Sequence, residues 1–470
     1  MADKYVVSID EVWDHLGTTY QAEYIFNYLK NKEIDAQTAI IEEKYIDKDY
    51  LLDYAGFYAR SFEPIDRCTK RIHFFSGKFD QRYFRNVLTN YNENKIKKFG
   101  RYLGFIVLKK FKDLDKDLDP LIGRTCIVPL PNQVKESSDV RNYIHTKCDS
   151  NLFGINFEID ALPFQAQDHA VAACATISLW IANYQLTTLF QTPRLSPIEI
   201  TKRATDLIGM KRILPNDGLT PRQMFTFFKS IDLDFEIISP SEIREVSNDI
   251  KTFIPDTVKV FIDEKIPIIA GIYLKKYSRR PLHCNEISND KTICDPHAVV
   301  ICGYRENDRG ELTALYVHDD QIGPYSKVES ISVPDEGFFQ KWKNEWITDH
   351  RYGPVSFPDE PYDEVFLNTL ILPLYPKIRL SYRDVYIYFH EWKLDNPDLD
   401  TILHLTTIRE LRKKIINSKV KNKLEILRKP LPRFMWVFSI LDKKFNYVDV
   451  VLDATSHKIR EIEYIEYKEN

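Results

Sequence analysis

Phe164-Gln165-Ala166-Gln167-Asp168-His169-Ala170-Val171-Ala172-Ala173-Cys174-Ala175-Thr176-Ile177-Ser178-Leu179-Trp180 sets one cysteine among small residues, after a Gln/Asp/His loop and before an apolar run. From Cys174 on, Ile177, Trp180, Ile181 and Tyr184 recur at three- and four-residue steps, which predicts a buried amphipathic helix with Cys174 near its start. Unpaired N–H groups and the positive end of the helix dipole favour a thiolate over a thiol at such a position, and the thiolate is the nucleophile.

A cysteine nucleophile needs a base. Asp295-Pro296-His297-Ala298-Val299-Val300-Ile301-Cys302-Gly303-Tyr304 offers His297 at the mouth of a β-type run. Leu315-Tyr316-Val317-His318-Asp319-Asp320-Gln321-Ile322-Gly323-Pro324 reads as a further strand that ends in a carboxylate pair and a turn, where a carboxylate could orient the imidazole.

The order Gln, Cys, His, Asp resembles the papain-like cysteine peptidases, and within them the branch that processes bacteriocin leaders at a double glycine. The likeness covers roughly residues 162–330. It implies a helical lobe facing an antiparallel sheet lobe, with Cys174 as nucleophile, His297 as general base and acid, Asp319 as its orienter and Gln167 as oxyanion donor. The family's glutamine lies six positions before the cysteine; here that slot holds Asp168, with Gln167 and Gln165 seven and nine before. Measured from Gly323, either Asp319 or Asp320 fits the family's carboxylate. Strand alternation sends neighbouring side chains to opposite faces, which predicts that only one of the two meets His297.

At 470 residues the chain is long for one core, and about three units are expected: an N-terminal α+β domain, or an elaboration of the catalytic one, over 1–150, the catalytic domain over 151–348, and a C-terminal α+β domain over 349–470. With 44% hydrophobic and 13% aromatic residues the composition is that of a folded protein. A net charge of -4, from 65 Lys and Arg against 69 Asp and Glu, provides no field for nucleic acid or an anionic membrane; the resemblance to cysteine peptidases implies a protein or peptide substrate as partner. No run matches a membrane span, the start carries no secretion signal, and seven scattered cysteines do not suggest a disulfide framework; a cytoplasmic protein without cofactor is expected.

In the N-terminal stretch, Tyr102–Leu108 and Thr125–Leu130 read as strands, and His73 beside Phe74 and Phe75 as a core histidine. After the Cys174 helix, Ser196-Pro197 and Thr220-Pro221 each read as an N-cap followed by a first helical residue. Leu233–Ile238 and Ile266–Tyr273 are strand candidates, and the polar residues 275–295, next to His297, form a loop that could act as a lid. Val365–Leu372, a helix at 382–392 and strands around 435–440 and 448–454 complete the chain. A basic helix over 408–429, with Leu411, Ile415, Ile416 and Val420 on its apolar face, could dock an acidic protein partner.

Two other readings compete with a Cys-His-Asp site. One is a papain-like module that has lost catalysis and only binds. The other is a zinc-stabilised structural domain built from His283, Cys284, Cys294 and His297, which would take His297 away from acid–base work, and in which the adjacent His283 and Cys284 are an awkward ligand pair.

Overall fold

The structure, a computed structural model, describes residues 4–62, 65–110, 112–113, 116–117, 119–135, 137–168, 171–206, 218–244, 250–277, 292–333, 337–344, 364–397, 399–441 and 447–467. The fold is mixed α+β. Strands β1 (Val6–Ser8), β2 (Thr38–Tyr45), β3 (Thr69–Phe75), β4 (Tyr102–Lys109) and β5 (Leu121–Ile127) form an antiparallel sheet in chain order. Every residue of β4 is buried, because both faces of the sheet are covered. Leu103, Ile106 and Leu108 face the main core, while Tyr102, Phe105 and Val107 face a second cluster. This two-sided burial is why the strand reads as a continuous apolar run without alternation. Helix α1 (Tyr20–Lys30) adds Ile25 and Leu29 to the main core. Helix α2 (Lys48–Gly56) leads into a turn at Tyr58–Arg60, and α3 (Gln81–Thr89) packs Phe84 and Val87 into the second cluster. His73 is fully buried, between Tyr102 Oη at 2.8 Å and Glu42 Oε2 at 2.9 Å, as a core histidine.

After β6 (Val140–Tyr143) and the hairpin β7 (Thr146–Leu152) and β8 (Ile155–Ala161), the chain enters helix α4 (Cys174–Phe190). Its start at Cys174 matches the sequence expectation, but it is no amphipathic helix. Ala175 to Leu186 are buried without exception, so α4 runs through the core and is enclosed on all sides. Its Asn183 is accommodated: Nδ2 donates to Pro193 O at 3.1 Å while Oδ1 accepts from Leu195 N at 3.1 Å. Helices α5 (Pro197–Ala204) and α6 (Pro221–Ser230) begin with capping boxes, Ser196 with Glu199 and Thr220 with Gln223.

The second sheet contains β9 (Asp234–Ile238) and, after helix α7 (Ile250–Asp263), β10 (Ile268–Tyr277), β11 (Thr292–Glu306), β12 (Leu312–Asp319), β13 (Gly323–Ser332), β14 (Gln340–Asn344) and β15 (Glu364–Leu374). Strands β10 to β14 form a meander, and β15 pairs with β10 on one side and β14 on the other, so six antiparallel strands close into a ring. Closure removes the free edges of those six strands. Strand β9 extends the sheet from β15, and β6 pairs with β11.

Two boundary expectations change. A division at 348/349 cuts through this ring, because β15 from the expected C-terminal unit closes it, and β6 joins it from the expected N-terminal unit. The loop expected over 275–295 begins and ends as ladder, with Lys275 opposite Cys294 and Tyr277 opposite Thr292; a lid at 278–291 lies outside the described residues.

Helix α8 (Tyr382–Asp395) then precedes a four-stranded antiparallel meander of β16 (Asp400–Thr407), β17 (Phe434–Leu441), β18 (Tyr447–Asp453) and β19 (Glu461–Tyr467). The expected basic helix over 408–429 is two helices, α9 (Ile408–Asn417) and α10 (Lys423–Arg428). Leu411, Ile415 and Val420 are buried against the sheet, whereas Ile416 is exposed. Lys414 pairs with Asp449, Lys421 with Glu466 and Lys429 with Glu463, so part of the basic charge is met within the chain. One hydrophobic core runs from Val7 to Ala454 and joins all three stretches. No helix among the described residues is long and apolar enough to cross a membrane.

Candidate active site

The helix that carries Cys174 lies directly on the strand that carries His297. Ser178, one turn after Cys174 on the same helix face, donates from Oγ to the carbonyl of Ala298, the residue after His297, at 2.9 Å. Cys174 is partly exposed at the N-terminal end of α4, where Ala173 is the N-cap and provides no side-chain cap for the first-turn N–H groups. His297 is buried, on β11 opposite Ile272 of β10.

His297 Nε2 lies 3.0 Å from Asp319 Oδ1 and 3.5 Å from Asp320 Oδ1. The Nε2 side therefore faces the carboxylates and leaves Nδ1 for the thiol. Burial alone would push the imidazole down. The charges of Asp319 and then Asp320, with the hydrogen bonds His297 makes to Asp319 and with Cys174, outweigh it and hold His297 well above its ordinary value. Asp320 is pushed up to about 7, first by burial and then by Asp319, against the lowering effect of His297. Its Oδ2 is buried with no hydrogen-bond partner among the described residues.

Both carboxylates reach His297, contrary to the alternation argument. The ladder between β12 and β13 shifts register between Val317 and Asp319, and β12 ends at Asp319, so Asp320 lies in the turn that follows. A bulge and a strand end suspend the period-2 rule at this point. The next residue tightens the turn: Gln321 N donates to Asp319 Oδ1 at 3.0 Å. His318, on the other side of β12, is a neutral core group instead. Its Nε2 is 3.1 Å from Leu162 O, Tyr325 N donates to its Nδ1 at 3.0 Å, and burial pushes it down to about 3.

Of the residues in the loop before Cys174, Asp168 holds the loop shape. Its Oδ1 accepts from Val171 N at 2.6 Å and Ala172 N at 2.9 Å, and its Oδ2 accepts from Tyr58 Oη at 2.8 Å. An acceptor engaged in this way has no donor role, so the slot of the family's glutamine is structural here. Gln167 is half-buried. Gln165 is buried, its neighbours are pinned by Phe164 N to Thr125 O at 2.9 Å and Ala166 N to Ile122 O at 3.0 Å, and its Nε2 finds no acceptor among the described residues. The signal for Gln165 was in the sequence only as a second glutamine two residues away.

Of the expected zinc set, His283 and Cys284 lie outside the described residues, as does the side chain of Cys294. Among the described residues, the group close enough to share a cation is His297, Asp319 and Asp320, whose ligand atoms lie within 4.8 Å of one another. A cation there would compete for the Nε2 that faces Asp319. No protein-family model matches the chain, and no curated protein matches its sequence.

Proposed function

We propose that the chain is a papain-like cysteine peptidase or related amide hydrolase, working through Cys174, His297 and Asp319 and a thioester intermediate. The observation that carries this reading is His297, held between a helix-start cysteine on one side and a carboxylate at 3.0 Å on the other. A core helix laid against an antiparallel ring, with the nucleophile on one and the base on the other, supports a papain-like architecture.

In this mechanism His297 takes the proton of Cys174, and Asp319 holds the imidazole in the tautomer that presents Nδ1 to sulfur. The thiolate attacks the carbonyl carbon of a peptide or side-chain amide. The uncapped Cys174 N–H and a glutamine side chain stabilise the resulting oxyanion. By resemblance that glutamine is Gln167; the unsatisfied buried Nε2 of Gln165 makes it the second candidate. His297 then protonates the leaving amine, and water releases the acyl group. A chain with these thiols belongs in the reducing cytoplasm.

Iodoacetamide labelling of the intact protein from pH 5 to 9, with the site mapped by peptide mass, tests the reading. Selective labelling of Cys174 at low pH, lost in His297→Ala, is the expected result. Labelling of Cys174 no faster than that of the other cysteines, and indifferent to His297→Ala, would instead leave a binding module.

A further inference from the structure

The first residue of α4 is set by a segment more than a hundred residues upstream. Helix α2 and the turn after it grip α4 and its entry loop at several points. Asp49 Oδ2 accepts from both Trp180 Nε1 and Tyr184 Oη, each at 3.1 Å, on the buried shaft of α4. Asp53 Oδ1 accepts from Ile198 N at 3.0 Å, at the start of α5. Gly56 lets α2 and α5 close up, since a Cβ there would lie 2.4 Å from Ile198 Cδ1. Tyr58 Oη donates to Asp168 at 2.8 Å, and the same carboxylate holds the N–H groups of Val171 and Ala172, three and two residues before Cys174.

The loop is held from the other side too. Thr201 Oγ1 of α5 donates to Val171 O at 3.0 Å and lies 3.2 Å from Thr176 Oγ1 in the first turn of α4. Tyr50, Tyr58, Val171 and Ile198 form a small buried cluster that seals this junction from the main core. Cys174 is thus placed by contacts that begin in the first sixty residues. A helix N-terminus with no side-chain cap of its own depends on its entry loop for position.

We infer that residues 47–60 are part of the catalytic apparatus, with Tyr58 and Asp168 as positioning residues that set Cys174 against His297. The inference rests on reading Cys174 as the nucleophile. The hydroxyl of Tyr58 orders the Asp168 carboxylate, the carboxylate orders the loop amides, and the loop fixes the height and direction of the first turn of α4. Neither residue touches the reacting atoms. A thiol–imidazole pair is sensitive to such placement, because hydrogen-bond strength falls steeply with distance and angle.

Tyr58→Phe tests this in the full-length chain, since it keeps the ring in its cluster and removes only the hydroxyl. Wild type should label with iodoacetamide selectively at Cys174 near pH 6. Tyr58→Phe should label there about ten- to a hundredfold more slowly, the scale of loss for misplacing a reacting group by up to an ångström. Near pH 10 the two should label alike, where a thiolate forms without the imidazole; a merely structural role would not produce that pH-dependent difference. Asp168→Ser, whose hydroxyl still serves the loop amides but does not reach Tyr58, should behave in the same way and serves if Tyr58→Phe does not fold. Wild-type profiles in the folded variants would overturn the positioning role alone. Unselective labelling of wild type would overturn the assignment of the nucleophile and this inference with it.

Discussion

Replacing Asp319 with asparagine should separate the roles of the two carboxylates. Asp319 Oδ1 lies 3.0 Å from His297 Nε2, inside the ordinary N–H···O range, whereas Asp320 Oδ1 at 3.5 Å lies outside it. A hydrogen bond to a charged group contributes about 1.5–3 kcal/mol. At about 1.36 kcal/mol per tenfold, Asp319→Asn should slow the labelling of Cys174 near pH 6 by roughly ten- to 150-fold. Asp320 offers a contrast worked from its environment. Burial raises its carboxyl to about 7, so near pH 6 it is largely protonated and Asp320→Asn replaces one neutral group by another. Its effect there should stay under about fivefold and grow only above pH 7. The assay is the rate of carbamidomethylation at Cys174, followed by peptide mass from pH 5 to 10, with the melting temperature of each variant measured alongside. An Asp320→Asn loss equal to or larger than that of Asp319→Asn near pH 6 would refute the reasoning, and would make Asp320 the group that orients His297.

Other expectations follow from the same contacts. His297 is raised above its ordinary 6.5 in the folded state, so its contribution to stability is complete below about 6.5 and is lost as pH rises through the higher folded value. Asp320 works in the same direction, its contribution complete below about 3.8 and lost on the way to about 7. The melting temperature of wild type relative to His297→Gln should therefore fall between pH 5 and 9; a rising difference would contradict the ion pair. Leu367→Ala, at a fully buried position of the ring-closing strand, should cost about 2–5 kcal/mol in denaturant unfolding. A cost below about 1 kcal/mol there would mean that β15 is not integral to the ring. Asp49→Ala strands two buried donors, Trp180 Nε1 and Tyr184 Oη, and should destabilise the chain by about 1–3 kcal/mol for each in the same assay; a neutral outcome would remove α2 as a support of α4.

Local signals in the text carried a good deal of this structure. The start of α4 at Cys174, the caps at Ser196 and Thr220 and the strand ending at Asp319 all depend on residues within a turn or a ladder step of one another, whereas the strand expected to open at His297 begins at Thr292. Period and capping chemistry report such features directly, because the hydrogen bonds involved close over three or four residues. The order of Cys174, His297 and Asp319 was legible for the same reason.

Other features were decided only when distant segments met. Apolar spacing does not distinguish a helix with one buried face from α4, which is buried on all sides because α2, α5 and the ring surround it. Closure of the ring by residues 364–374 pairs β15 with the nearby β14 and with β10, whose residues 269–275 lie far earlier in the chain, and nothing in the local period of β15 names its partners. The joint approach of Asp319 and Asp320 to His297 depends on a register shift that alternation does not encode. The hold of Asp49 and Tyr58 on the Cys174 helix and its entry loop spans 131 and 110 residues. Sequence alone determined which side chains were available for chemistry, since residue type and short-range geometry suffice for that; their distances, burial and charge were settled by tertiary packing, because each depends on what the rest of the chain excludes from water around them.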